Sequence, residues 1–173
     1  ATFEFKSANP VDYDDSVVTL VSSAGTGKAY QFLDDGVDTT GTVDSGAVVV
    51  QINGLGTRAA IMAEFQTAIN HENGHNGGSA NSVLSMSLTG GTSSNGIMVI
   101  SQVVGGPDGD TNISQVDVNV SDFTVPLKFS GGTKQLNEVP FSLGLSGVLP
   151  FNIGSVASRS AYTMTKGKQI STE

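Results

Sequence analysis

The stretch VVTLVSSAGTGKAYQFL at residues 17–33 decides the fold, because it has the pattern of a β-hairpin. Residues 17–22 and 28–33 are rich in β-branched and aromatic side chains, which favour strands. The small residues SAGTG between them are typical of a tight turn. Tyr30 and Phe32 are two positions apart and therefore share one face of the second strand. The stretch predicts a hairpin that turns aromatic side chains towards a core.

Strand character continues on both sides of this hairpin. Residues 2–6 alternate polar and aromatic side chains, and residues 46–52 carry a run of β-branched ones. Further strands are predicted at residues 82–88, 96–101 and 116–120, with turns rich in Gly and Ser between them. The composition agrees, since 22 Gly and only 14% charged residues depart from the composition of an ordinary soluble enzyme.

One segment has helical periodicity instead. Between residues 57 and 72, Thr57 is a suitable N-cap and Asn73-Gly74 a suitable stop signal. Because strands precede and follow this segment, the sequence predicts an α+β fold, in which a mostly antiparallel or mixed β-sheet is covered by one amphipathic helix. The apolar residues at helical spacing are Ile61, Phe65, Ala68 and Ile69.

The character of the chain changes near residue 129. We predict a β-rich α+β body at residues 1–132 and an extended, irregular arm at residues 133–173. Apolar residues recur in the arm among Gly and Ser without a sustained helical or strand period, so the arm can lie on its own body or on a neighbouring copy. The candidate interaction residues are Val139, Phe141, Leu143, Leu145, Leu149, Phe151 and Ile153.

Charge is divided unevenly along the chain. Residues 1–128 carry four Lys or Arg against fourteen Asp or Glu, a net charge of −10, and residues 129–173 carry four against two, a net charge of +2, which together give the chain's −8. Affinity for nucleic acid comes mainly from Lys and Arg, so no nucleic-acid partner is expected. A mildly basic end can dock on the acidic body of a neighbouring copy.

Other classes of protein are disfavoured by what the sequence lacks. There is no Cys, so neither disulfides nor thiolate metal sites can hold the protein together. Residues 1–10 have neither the basic nor the apolar region of a signal peptide, and no stretch approaches the roughly 18 apolar residues of a membrane span. We therefore expect synthesis in the cytoplasm and no membrane partner.

His71-Glu72-Asn73-Gly74-His75 matches the HExxH pattern of zinc hydrolases. That chemistry needs both His side chains on one helical face, with the Glu as general base. Asn73-Gly74 is a pair that ends helices, and the expected place of a third ligand holds Asn81. The sequence favours a helix end followed by a solvent loop. A small zinc hydrolase using His71 and His75 stays the enzymatic alternative.

Two further segments resemble ligand loops only in part. Asp108, Asp110 and Asn112 place oxygen side chains at alternate positions, as calcium loops do, but the later elements of such a loop are missing. A simple turn is favoured there over calcium. In the same way, residues 23–28 lack the Ser or Thr that follows the Lys of a phosphate-binding loop, so a hairpin turn is favoured. We expect no enzyme, no catalytic residues and no cofactor.

The overall layout resembles a module of tailed-phage virion proteins. The likeness rests on VVTLVSSAGTGKAYQFLDDG at residues 17–36, on a helix with AAIMA at 59–63 and AIN at 68–70, and on GGPDGDTNI at 105–113. In those proteins a hairpin of the form T-L-x-x-x-x-G-T-x-K-x-Y-x-F precedes an alanine-rich helix and a G-x-x-G-N-T-x-I turn. The likeness covers about residues 1–132. The chain departs from it at Asp110 and in its arm.

The resemblance implies a non-enzymatic structural protein of the virion, made in the host cytoplasm. The expected role is a head decoration or cement protein that self-associates and clamps major capsid subunits. A tail, neck or fibre component, bound to tail subunits, is the alternative within the same class. A carbohydrate-binding module ranks lower, because the chain has no Trp and only 3 Tyr for stacking on sugars.

Overall fold

The computed structural model describes residues 1–34 and 46–131. These residues form eight strands and one α-helix, so the predicted α+β fold is confirmed. The strands form two four-stranded sheets, which the sequence did not separate. In chain order the elements are β1 Thr2–Phe5, β2 Val17–Val21, β3 Gly27–Leu33, β4 Val48–Gln51, α1 Arg58–Asn70, β5 Leu84–Gly90, β6 Gly96–Gln102, β7 Ile113–Val116 and β8 Phe123–Thr124.

The first sheet has the strand order β5-β6-β1-β8, and its pairs are antiparallel. Strands β5 and β6 form a hairpin in which Gly90 has a φ of +74°. A Cβ atom at Gly90 would lie 2.5 Å from the carbonyl oxygen of Asn95, so the turn requires glycine. In the strand order, β1 lies between β6 and β8, so the first strand of the chain is held in the interior of this sheet.

The second sheet has the order β4-β3-β2-β7. Its centre is the predicted hairpin, with Val17 opposite Gln31 and Val21 opposite Gly27. Strand β7 pairs antiparallel with β2, whereas β4 pairs parallel with β3. The sheet is therefore mixed, as the sequence allowed.

Aromatic side chains from both sheets meet in one core. Phe5 and Phe123 of the first sheet have ring centroids 4.6 Å apart, and Phe123 lies 5.4 Å from Phe32 of the second sheet. Tyr13, from the loop after β1, lies 5.5 Å from Phe123. Contacts at these distances stabilise a core beyond the area that they bury. The two sheets therefore pack face to face on aromatic rings.

Helix α1 begins where the sequence predicts, because the side chain of Thr57 accepts a hydrogen bond from the backbone N–H of Ala60 at 3.2 Å. Its Phe65 ring lies 5.9 Å from Phe3 and 5.2 Å from Phe32, so the helix packs against both sheets. The buried residues of the helix include the predicted set and are Ile61, Met62, Phe65, Ala68 and Ile69.

The structure differs from the sequence prediction at the end of the described chain. The strand predicted at residues 116–120 lies at Ile113–Val116, and the two-residue strand β8 was not predicted. Strand β7 stops because Asp117 has a φ of 53° and residues 119–122 form a turn, in which the N–H of Asp122 donates to the carbonyl of Asn119 at 3.0 Å.

The predicted arm at residues 133–173, with all of its candidate interaction residues, lies outside the described residues. The boundary between body and arm therefore stays a prediction. Within residues 1–34 and 46–131, no helix has the length and apolar character that crossing a membrane requires.

Candidate functional site

The HExxH segment does not lie on a helix. Helix α1 ends at Asn70, and His71 has left helical geometry with a φ of −58° and a ψ of 157°. The His71 side chain is exposed, and its Nδ1 accepts the backbone N–H of Asn73 at 3.2 Å. The helical face that would aim two His side chains at one zinc ion is thus not formed.

The second histidine is buried and hydrogen-bonded at both ring nitrogens. Nδ1 of His75 lies 2.7 Å from the hydroxyl of Tyr30, and Nε2 lies 3.1 Å from the carbonyl oxygen of Thr26. A carbonyl can only accept, so we assign the proton to Nε2, and the Tyr30 hydroxyl then donates to Nδ1. That hydroxyl also accepts the backbone N–H of His75 at 3.0 Å. The imidazole joins the β2–β3 turn to the loop after α1.

Burial sets the protonation of this pair. Burial lowers the pKa of His75, which favours the neutral imidazole that the hydrogen bonds require. Burial also raises the pKa of Tyr30, so its hydroxyl keeps the proton that it donates. Both groups are therefore held in their neutral forms.

Gly74 stands where the chain passes closest to the end of the helix. A Cβ atom at this position would lie 2.2 Å from the carbonyl oxygen of Ala68 and 2.4 Å from that of Ile69. The close approach lets the N–H of Asn76 donate to the Ile69 carbonyl at 3.0 Å. This bond satisfies one of the carbonyls that a helix end leaves without an intrahelical partner. The HENGH segment thus terminates the helix.

Asn76 is the most fully bonded side chain of this loop. Its Oδ1 accepts the backbone N–H groups of Val83 and Leu84 at 2.9 and 2.8 Å. Its Nδ2 donates to Oδ1 of Asn70 at 2.7 Å and to the carbonyl of Leu84 at 2.8 Å. A buried amide with all of these bonds satisfied fixes the end of α1 against the start of β5.

The same loop covers part of the outer edge of β5. Asn76 bonds the backbone of Leu84, and Oδ1 of Asn81 accepts the N–H of Met86 at 3.3 Å. Side chains that occupy edge N–H groups prevent another strand from pairing there. Strand addition at the first half of β5 is therefore disfavoured.

A groove of about 360 Å³ lies between α1 and β4. The ionisable side chains in its wall are Glu64 and His71. Thr67 brings a hydroxyl group to the wall of the groove, but this hydroxyl donates to the carbonyl of Ala63 at 2.9 Å and is therefore hydrogen-bonded within the helix. The residues around the groove are Ala47, Val48, Val49, Gln51, Glu64, Thr67, Ala68, His71 and Asn73.

The candidate calcium residues lie along an exposed turn. Residues 107–109 form one turn of 3₁₀ helix, and Asp108, Asp110 and Asn112 are all exposed. The backbone of Asn112 forms a bridge with Lys128. In the described part of the chain, no group of three or more His, Cys, Asp or Glu side chains is placed to hold a metal ion.

The segment that partly matches a phosphate-binding loop is the turn of the β2–β3 hairpin. The N–H of Ser22 donates to the carbonyl of Thr26 at 2.9 Å, which closes the turn. The ammonium group of Lys28 donates to the carbonyl of Asn73 at 2.5 Å. This Lys therefore supports the loop after α1, and the hairpin interpretation is confirmed.

One surface was not singled out from the sequence, namely the outer face of the first sheet. Strand register places Val99 of β6 between Ser87 of β5 and Thr2 of β1 on this face. The alternation of Ser and Thr along β5 was its only signal in the sequence, and which side of that strand faces the core was not predictable. The outer face consists of Thr2, Glu4, Ser85, Ser87, Thr89, Ile97, Val99, Ser101 and Thr124.

Comparison of the chain with protein-family models, with curated proteins and with solved structures found no match. In the segment from His71 to Asn76, His75 and Asn76 have side chains that bond to other elements of the fold.

Proposed function

We propose that the chain is a non-enzymatic structural protein of a virus particle, of the decoration or cement type, which binds other copies of itself and neighbouring coat subunits. The observation that carries the proposal is a body whose side chains from Phe3 to Phe129 bury one another in a single core, followed in the sequence by an apolar segment at residues 139–153. An apolar segment beyond a closed core is most useful when it buries surface against a partner.

The hydrogen bonding of the body supports a structural role. In a catalytic site, the imidazole and hydroxyl groups face a cleft where substrate can reach them. Here His75 and Tyr30 are both buried and bonded to each other, and Lys28 bonds a backbone carbonyl. These groups stabilise the loop after α1, so their place in the fold is explained without a reaction.

Charge supports contact between copies. The body at residues 1–128 has a net charge of −10 and residues 129–173 have one of +2. Opposite charges on two parts of the chain attract the end of one copy to the body of the next, and they steer the encounter more than they add to affinity. A particle surface, where many copies lie close together, makes such weak contacts effective.

The same features suit a tail, neck or fibre component. The two roles differ in where the protein lies on the particle. Negative-stain images of particles labelled with an antibody to this chain distinguish them: label on the head supports the decoration role, and label on the tail replaces it with the alternative.

Substitutions in the apolar segment test the proposal. We expect Phe141→Ser combined with Phe151→Ser, introduced in the native gene, to reduce the amount of protein that co-sediments with particles at least 10-fold. Val156→Ser, in the same part of the sequence but outside the candidate interaction residues, is the matched control and should leave the amount unchanged. Equal incorporation of the double variant would remove the segment from the mechanism.

A further inference from the structure

The outer face of the first sheet is nearly free of charge. Its one ionisable side chain is Glu4, whose Oε1 accepts the side-chain N–H of Asn95 at 2.8 Å. Most of the charge of the body lies elsewhere, since residues 1–128 have a net charge of −10 and Glu4 is only one of their fourteen acidic residues. Two copies that meet through an acidic surface bring like charges together, which costs free energy. The outer face lets two copies meet without that cost.

The outer face is also open. Helix α1 packs on the other side of the sheet, where its Phe65 contacts Phe3. On the outer side Thr2, Ser87 and Ser101 are exposed, and Val99 at the centre is 37% exposed. Side chains of Ser, Thr, Val and Ile on one face of a sheet can pack against an identical surface, as the facing sheets of a β-sandwich do at about 10 Å.

We propose that two copies of the chain pair through the outer faces of their first sheets, about a two-fold axis close to Val99. The inference rests on the proposed function, since it names a second surface, besides the apolar segment, through which copies of the protein associate. A two-fold pair uses the same patch on both copies, so the patch must be complementary to itself. Small hydroxyl and aliphatic side chains meet this condition, because hydroxyl groups both donate and accept.

The size of the face sets the strength of the pairing. Four strands about 4.8 Å apart, of which β5 and β6 have seven residues of about 3.4 Å each and β1 and β8 have four and two, give a footprint of at most about 14 by 24 Å. This is smaller than the roughly 800 Å² that each partner buries in a standard interface. The pair is therefore weak, and it becomes stable where many copies are held on one particle.

Sedimentation velocity of the full chain between about 1 and 100 µM tests the inference. We expect Ser87→Glu and Val99→Glu, each of which places facing carboxylates in the pair, to raise the dimer Kd at least 10-fold. The matched control is Ser114→Glu, because Ser114 is equally an exposed strand residue but lies in the second sheet. It should leave the Kd within 2-fold of the unsubstituted chain. Thermal unfolding checks that each variant is folded. If Val99→Glu does not fold, Ser87→Glu alone tests the pairing, because Ser87 is exposed and its substitution should leave the fold intact.

Three results would overturn the inference: an unsubstituted chain that stays monomeric throughout, a dimer that both variants leave intact, or loss of the dimer in Ser114→Glu to the same degree. If Phe141→Ser with Phe151→Ser abolishes a dimer that Ser87→Glu leaves intact, the apolar segment forms the contact. In that case the outer face is excluded, while the proposed function stands. Co-sedimentation with particles tests the function separately from all of these outcomes.

Discussion

His75 lies in a sequence pattern associated with zinc, yet its surroundings are those of a structural side chain. The residue is 7% exposed, and its ring lies between the Tyr30 hydroxyl and the Thr26 carbonyl. His71, four residues earlier, is exposed, and among the described contacts its side chain bonds only its own loop. The pattern gives residue types, whereas metal binding also needs both side chains to point to one place.

Alanine at His75 should lower the free energy of unfolding by about 1–3 kcal/mol, because the buried Tyr30 hydroxyl loses the acceptor of its proton and the Thr26 carbonyl loses one of its two donors. His71→Ala is the matched control and should change it by less than about 0.5 kcal/mol. Urea denaturation followed by circular dichroism measures both. Zinc analysis of the same preparations checks the alternative: stoichiometric zinc that is lost in His75→Ala would support the hydrolase.

Stability should depend on pH through His75. Burial holds its pKa in the folded protein below the ordinary value of 6.5 for histidine, so the unfolded chain binds the proton more readily. The contribution of this group is fully present above pH 6.5 and decreases as the pH falls from there towards the folded pKa. We expect the loss of stability between pH 7.5 and pH 5.5 to be larger in the unsubstituted chain than in His75→Ala. Urea denaturation measures the free energy of unfolding at both pH values, and an equal decrease in the two proteins would contradict this role of His75.

Among the elements, α1 shows how far local sequence determines structure. Its start follows from the Thr57 cap and its buried side from the spacing of its apolar residues, and both were predicted. Its end was predicted from Asn73-Gly74, but the helix stops at Asn70 because the chain turns back at once to place Gly74 against the last turn. The need for that turn arises from the burial of His75 and Asn76, which depends on residues distant in sequence.

Gly74→Ala tests this account of the helix end. A methyl group would lie 2.2 Å from a backbone carbonyl, so the loop must move away from the helix. We expect the free energy of unfolding to fall by about 2 kcal/mol or more, a cost at the upper end of ordinary substitutions. Gly56→Ala is the control, because nothing lies within 4 Å of a Cβ atom there. Thermal unfolding measures both, and similar melting temperatures for the two variants would contradict the account.

The strands also show that local sequence predicts only the pairs whose partners are close in the chain. Strands β2 and β3 were predicted because a hairpin depends on neighbours in sequence. Strand β8 has two residues, and it forms because β1, more than a hundred positions away, offers Glu4 and Phe5 as partners. The assignment of the strands to two sheets depends on such long-range pairs, so residue patterns alone did not contain it.

On the scale of the whole molecule, the predicted body corresponds to two sheets and a helix around one aromatic core. The candidate interaction residues from Val139 to Ile153 stay a prediction, since they lie outside the described residues. The outer face of the first sheet could be recognised only from the structure, because an alternating strand does not reveal which of its sides is covered. The function that we propose uses both surfaces and no reactive group.

The most direct test of this account is the copy number of the protein in purified particles. Quantitative mass spectrometry of gradient fractions from the native producing culture compares this chain with the major coat protein. We predict a constant ratio of the two proteins across all particle fractions, with little of the chain left free. A chain that is absent from particles and remains a free monomer, or that turns over a substrate with bound metal, would contradict the account.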